Sequence, residues 1–316
     1  MDPSTTTPVP AHMVGPARAG LKERIIEFVS PASVELTTHE RDAERALSVL
    51  LPPGASVYIT HTPNSTIGDV ASVACAVESW GYKAFPHIVA RRIQSVRSLT
   101  EALGRLSDGG ITRALLVAGD LSTPTGIFTS TQELLATGAF VRAGFNTLGV
   151  AGHPEGHSRI GPSLLWSALR GKQEYAERTG TRMHIVSQFG FDPGAIARWE
   201  AELTKHGITL PVHVGIAGPA SLRTLIKYAM LCGIGASLSA LMRNLSALSS
   251  MRHLATTADE ILMQIVCVRD GPVARRIVQP HFFSFGGVAQ NVRWLHAIRS
   301  GNFEVDLDAG TLVLGK

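Results

Sequence analysis

Glu27 is the first residue whose setting suggests chemistry. It is flanked by Ile25, Ile26, Phe28 and Val29. Read as a short apolar strand, that run takes the carboxylate out of water. Desolvation then raises a carboxyl pKa toward the range of a general acid at neutral pH. A salt-bridged core glutamate is the plainer reading of the same run. Polar residues recur in or just after later apolar runs: His61, His87, Asp120, the His153–His157 pair and Gln188. One such residue is ordinarily a satisfied core group. A set drawn from consecutive strands and converging on one end describes a site. Asp120 follows Gly119, where the backbone can approach a ligand closely. Its alternative is the N-cap of a short turn, because Leu121-Ser122-Thr123-Pro124 follows. His153-Pro154-Glu155-Gly156-His157 spaces two imidazoles as a zinc-binding helix does. Pro154 and Gly156 interrupt it, however, and it is not HExxH, so no metal is assigned. GxSxG is absent, and no Ser-His-Asp or Cys-His arrangement is suggested.

The elements that must position these residues alternate. Short apolar runs at 25–29, 56–61, 84–89, 114–118, 148–152, 184–189, 212–217 and 281–285 read as strands. Helical spacing marks 40–51, 68–80, 99–106, 131–143, 164–178, 193–206, 221–231, 236–248, 257–268 and 288–299. Strand–helix alternation implies parallel strands with helical crossovers. Eight units favour a closed (β/α)8 barrel, in which polar residues at the strands' carboxyl ends form the active site. The open doubly wound sheet is the structural rival. No GxGxxG follows the first strand, which weakens a dinucleotide-binding version of it. Residues 1–20 read as a disordered or loosely docked arm, and 21–316 as one barrel domain with extra helices before the last strand.

Composition narrows the class. Among 316 residues 45% are hydrophobic, enough for a large core, and only 17% are charged, which leaves surface for subunit contacts in a homo-oligomer. The net charge of +4 comes without a basic stripe, so nucleic acid is not an expected partner. The longest apolar stretch, 228–242, falls short of a bilayer span of about 20 residues, so neither is a membrane. The first 20 residues carry four prolines and no apolar secretory core. Cys75, Cys232 and Cys267 read as reduced, buried cysteines of a cytoplasmic protein.

Five segments occur together in register. They are Glu27-Phe28 with Pro31, Pro86-His87-Ile88, Gly119-Asp120-Leu121, His153-Pro154-Glu155-Gly156-His157, and Ser187-Gln188-Phe189-Gly190-Phe191-Asp192. Together, from about residue 25 to 299, the chain resembles 5,10-methylenetetrahydrofolate reductase of the bacterial type. The resemblance implies a (β/α)8 barrel carrying FAD, which takes hydride from NADH or NADPH and passes it to methylenetetrahydrofolate. It implies that Glu27 is the acid that protonates N10 as the folate ring opens. It puts Asp120 near the flavin pyrimidine and the pterin, where its charge disfavours an anionic reduced flavin. Gln188 matches the glutamine shared by folate and nicotinamide. Thr60, His61, His87, Gly119, Asp120, His153 and His157 match positions around the FAD, Lys172 its diphosphate partner, and Thr131 a further contact. Departures from the pattern are Ala118 for an Arg, His153 for a Tyr, and Leu165 and Ala168 for polar contacts. The rival readings are a flavin-free or mainly oxidative variant of the same folate enzyme, and a non-catalytic barrel subunit.

Overall fold

A computed structural model describes residues 20–40, 42–232, 234, 256–269, 276–308 and 310–315. The expected N-terminal arm, apart from Gly20, and the expected helix at 236–248 lie outside the described residues. Eight strands close into one parallel barrel in sequence order. They are β1 (Ser33–Thr37), β2 (Ser56–Thr60), β3 (Lys83–Val89), β4 (Arg113–Val117), β5 (Thr147–Gly152), β6 (Arg182–Ser187), β7 (Val212–Ala217) and β8 (Ile277–Phe283). Closure runs through β1 and β8, which pair in parallel with Ser33 opposite His281. The fold is a (β/α)8 barrel, as the alternation implies.

The first strand is not where the sequence reading put it. Residues 25–29 belong to a helix, α1 (Leu21–Val29), which precedes β1. Its buried residues are Leu21, Ile25, Phe28 and Val29. That is a helical face, with spacings of three and four. Burial of Ile25 and Phe28 contributes about 1.5–3 kcal/mol each. The face packs against β8 and two late helices, α10 (Thr256–Arg269) and α11 (Val288–Arg299). Arg299 pins the connection into β1 by donating to the carbonyls of Val29, Ser30 and Ala32.

The other crossovers are α2 (Ala43–Leu50), α3 (Ile67–Ser79), α4 (Val96–Asp108), α5 (Thr131–Ala136), α6 (Ala139–Arg142), α7 (Pro162–Thr179), α8 (Pro193–Lys205) and α9 (Leu222–Leu231). Local chemistry starts them in familiar ways. Thr66 and Asp69 form a capping box at α3, and Pro162 and Pro193 open α7 and α8. The stretch read as one helix, 131–143, is two, divided at Gly138 with φ 67°. A terminal hairpin that the sequence reading lacks, β9 (Phe303–Asp306) and β10 (Thr311–Leu314), packs on α1 and α10. No helix among the described residues is long and apolar enough to cross a membrane. The three cysteines form no disulfide. Cys232 is exposed and the other two are half-buried, against the expectation of burial.

Candidate active site

Alternation along each strand sends one set of side chains outward to the helices and the other into the barrel. On β1, Val34 and Leu36 join the apolar layer beneath the helices. Glu35 goes inward, opposite Tyr58 of β2. Its side chain is 11% exposed. Oε2 accepts from the Thr60 hydroxyl at 3.1 Å, and Oε1 lies 3.4 Å from His281 Nε2 and 3.5 Å from His87 Nε2. Burial pushes the Glu35 carboxyl up, but the His281 hydrogen bond, the two imidazoles and Thr60 together outweigh it and hold the group below its ordinary value. His87 is pulled down to about 4, by burial above all, so its imidazole is neutral at pH 7.

Glu27 is not part of this site. It sits on the outer helix α1 with its side chain 73% exposed, 3.6 Å from Arg269. The desolvation argument made for Glu27 therefore fails at that residue. It applies to Glu35, eight positions on, which the sequence reading passed over. The signal was available. Ser33-Val34-Glu35-Leu36-Thr37 alternates with period two, whereas the run at 25–29 continues a helical stripe from Leu21.

The remaining expected residues gather on the carboxyl ends of β2 to β6. His61, just past β2, donates from Nε2 to the Ser65 carbonyl, and its Nδ1 is buried with no partner. Gly119 adopts φ 96°, and a Cβ there would meet Val89 Cγ1 at 2.5 Å, so only glycine lets the β4 end pass so close to β3. Asp120 is largely exposed and pairs with Arg92 at 3.2 Å. The Asp120 carbonyl accepts from Arg159. His153 and His157 meet edge to face at 5.1 Å, not as a chelating pair. Burial first, and His157 next, pull His153 down to about 4, against a hydrogen bond with Gln188. Gln188 Nε2 also donates to the Cys232 carbonyl at 2.6 Å, so the chain leaving α9 comes back to the β6 end.

Lys172 lies on α7, 6% exposed and without an ion pair among the described residues, and burial pulls it down to about 8. Its charge reaches His153. Thr131 is buried at the start of α5 with its hydroxyl turned to Gln132. Arg91, Arg92 and Arg159, which the sequence reading did not single out, ring Asp120 and the loop after it.

This mouth carries orphaned polar atoms in unusual number. His61 Nδ1, His87 Nε2, Arg92 Nε and His153 Nδ1 are all buried without a hydrogen-bond partner. Each such atom costs free energy unless something polar meets it. With the buried, unpaired Lys172, the set fits a large anionic molecule rich in hydrogen-bonding groups. No cluster of three metal-ligating side chains occurs among the described residues.

Two of the solved structures that resemble the chain do so at low sequence identity. Deoxyribose phosphate aldolase from Aeropyrum pernix is 11% identical, with a TM-score of 0.41 over 88% of this chain and 97% of that one. The 3-dehydroquinate dehydratase from Aquifex aeolicus VF5 is 12% identical, with a TM-score of 0.37 over 64% and 84%. Neither value bears on this chain's chemistry. The family model of methylenetetrahydrofolate reductase matches residues 20–265. That span takes in β1 to β7 and all the mouth residues described above except His281. With a closed barrel, a buried carboxylate at its mouth and this match, the chain belongs to the methylenetetrahydrofolate reductase family, a family of oxidoreductases acting on folate.

Proposed function

We propose that the chain reduces 5,10-methylenetetrahydrofolate to 5-methyltetrahydrofolate with FAD as resident cofactor and NADH or NADPH as donor, and that Glu35, not Glu27, is its acid. The observation that carries this reading is the Glu35 carboxylate, buried inside the barrel with the orphaned His87 Nε2 3.5 Å away. FAD, when bound, supplies hydride carriage between the nicotinamide and the folate. His61, His87, His153 and Gly119 would hold it, and Lys172 would meet its diphosphate. Asp120 accepts from the pterin amino group, and Gln188 serves folate and nicotinamide in turn.

Glu35 protonates N10 as the bond from N10 to the bridging methylene breaks, which leaves an electrophilic carbon on N5. A flat aromatic substrate over the mouth strips the remaining water from the carboxyl. That adds to the desolvation that favours its protonated form. Once the proton has gone, Thr60 and His281 donate to the carboxylate left behind.

The test separates the half-reactions by stopped flow. Glu35→Gln keeps shape and removes the proton. Folate turnover falls at least about a hundredfold, the scale of general acid catalysis, while flavin reduction by NAD(P)H stays near normal. A colourless protein that gains no activity on FAD addition overturns the flavin assignment. A Glu35→Gln variant with full folate turnover overturns the acid.

A further inference from the structure

The interior of a (β/α)8 barrel is ordinarily filled by branched aliphatic side chains. Here His184 of β6, His281 of β8 and His87 of β3 surround Tyr58, and His213 of β7 lies behind His184. The Tyr58 ring lies 4.6 Å from His281 and 6.4 Å from His87, and its hydroxyl is 2.8 Å from His184 Nε2. His184 stacks on His213 at 4.1 Å. One of these imidazoles differs from the rest. His281 is fully buried and engaged at both nitrogens, with Nδ1 2.8 Å from Ser33 Oγ and Nε2 3.4 Å from Glu35 Oε1. His87 approaches the same carboxylate oxygen, but its Nε2 makes no hydrogen bond.

We propose that His281, held by Ser33, is the positioning residue of Glu35: it fixes the carboxyl at the mouth and, through Nε2–H, sets how readily that carboxyl gives up its proton. The proposal rests on the reading of Glu35 as the acid and adds a second residue to it. The chemistry follows from the two contacts. When the Ser33 hydroxyl donates to Nδ1, the neutral ring must carry its proton on Nε2, facing Glu35. A donor aimed at the carboxylate stabilises the ionised form. Ser33 and His281 lie opposite each other at the β1–β8 seam that closes the barrel. The donor is thus built into the sheet and not into a loop.

Other groups face the same carboxyl. Tyr58 and Thr60 do so from β2, His87 from β3, and Cys232 from the segment after α9. His281 in turn is faced by His87, His184 and His213. The phenol of Tyr58 is pushed up by burial and by Glu35, and burial pulls His87, His184 and His213 down. Tyr58 stays neutral throughout, but His87 and His184 take protons near the range in which Glu35 titrates, so the Glu35 signal is read only as the difference from Glu35→Gln.

The experiment follows the Glu35 carboxyl directly. Infrared spectra of the purified full-length protein, without folate, are recorded across pH and differenced against Glu35→Gln. His281→Phe removes the donor, His281→Gln restores one, and Ser33→Ala releases Nδ1. In His281→Phe the carboxyl midpoint rises by at least about one pH unit, as expected on losing a directed donor. The falling limb of the folate pH profile moves the same way, and His281→Gln recovers most of both. Unchanged midpoints in His281→Phe overturn the positioning role. If that variant does not fold, His281→Gln and Ser33→Ala decide: the midpoint rises in Ser33→Ala and stays near that of the parent protein in His281→Gln, or the proposal falls. A Glu35→Gln variant with full folate activity overturns the acid reading instead, and the infrared midpoints still report whether His281 governs Glu35.

Discussion

Arg92 Nη2 lies 3.2 Å from Asp120 Oδ1, so the carboxylate expected beside the flavin and pterin meets an arginine already in place. The two arrive from different strands. Arg92 sits in the 3-10 turn after β3 and Asp120 follows β4. A second Arg92 nitrogen donates to the Thr62 carbonyl at 3.1 Å, so three strand ends are tied together. Arg92 thus brings a positive charge to the end of β4, where the neighbouring Ala118 supplies none.

This pair sets opposite expectations for two variants of the flavin-loaded protein. Asp120→Asn removes a negative charge and moves the flavin midpoint potential upward. Arg92→Met leaves Asp120 unbalanced and moves it downward. The carboxylate is largely exposed, so each shift is modest, on the order of 10–20 mV, the two-electron equivalent of about 0.5–1 kcal/mol. Dye-coupled potentiometry on the two single variants and the double variant measures them. Shifts of the same sign would contradict the pairing.

Where the sequence was legible, the physics was local. β2 to β8 follow from apolar runs bounded by turns, and the crossover helices from spacing and caps such as Thr66 with Asp69. β1 is legible only as a short period-two alternation, because its inward residues, Ser33, Glu35 and Thr37, are polar, and only Val34 and Leu36 supply apolar signal. The stronger run at 25–29 competed for the role. Local periodicity favours β1 only weakly, and the stronger reason is that Ile25 and Phe28 bury on a helix face packed against two late helices, a contact that no local window contains. The candidate site divides in the same way. His61, His87, Asp120, His153 and Gln188 were found from strand ends. Glu35 and His281 were not, because their significance lies in a contact between the first and last strands.

Glu27 makes a direct control for that correction. Its pair with Arg269 is exposed on the glutamate side and 3.6 Å long, and surface pairs of this kind contribute roughly 0–1 kcal/mol. Glu27→Gln is expected to unfold within about 1 kcal/mol of the parent protein and to turn over folate at the parent rate within a factor of about two. Urea denaturation and steady-state kinetics check both. A large loss of turnover in a folded Glu27→Gln protein would return the acid to α1.

Buried imidazoles make the fold sensitive to acid. Burial pulls His87, His184 and His153 down to about 4, and His213 is lowered as well. In the unfolded chain each takes a proton near pH 6.5. The folded state therefore binds fewer protons, and stability falls as pH drops from about 6.5 toward 4. Each of the three contributes on the order of 3 kcal/mol to that loss at its full extent. Urea midpoints at pH 7.5, 6 and 5 are expected to fall steeply. His184→Gln, which keeps an acceptor for the Tyr58 hydroxyl, should lessen the slope by about one proton. A flat profile over this range would mean that these rings meet water.

Asp259 gives the opposite slope and can be tested apart from the site. It lies on α10, 5% exposed, and accepts from Trp294 Nε1 of α11 at 2.6 Å. Burial pushes its carboxyl up to about 7, although the indole bond works against that rise. Its folded value therefore lies above the unfolded one, near 3.9. Stability from this group is complete below the unfolded value and is lost as pH rises through about 7. Asp259→Asn keeps an oxygen for Trp294 and removes the charge. The variant is expected to be more stable than the parent protein at pH 8, by on the order of a few kcal/mol, with the advantage vanishing near pH 4. Urea titrations at the two pH values, followed by tryptophan fluorescence, measure it. An Asp259→Asn variant less stable than the parent at pH 8 would mean that the ionised carboxylate holds α10 against α11, and that its bond to Trp294 outweighs the cost of burial.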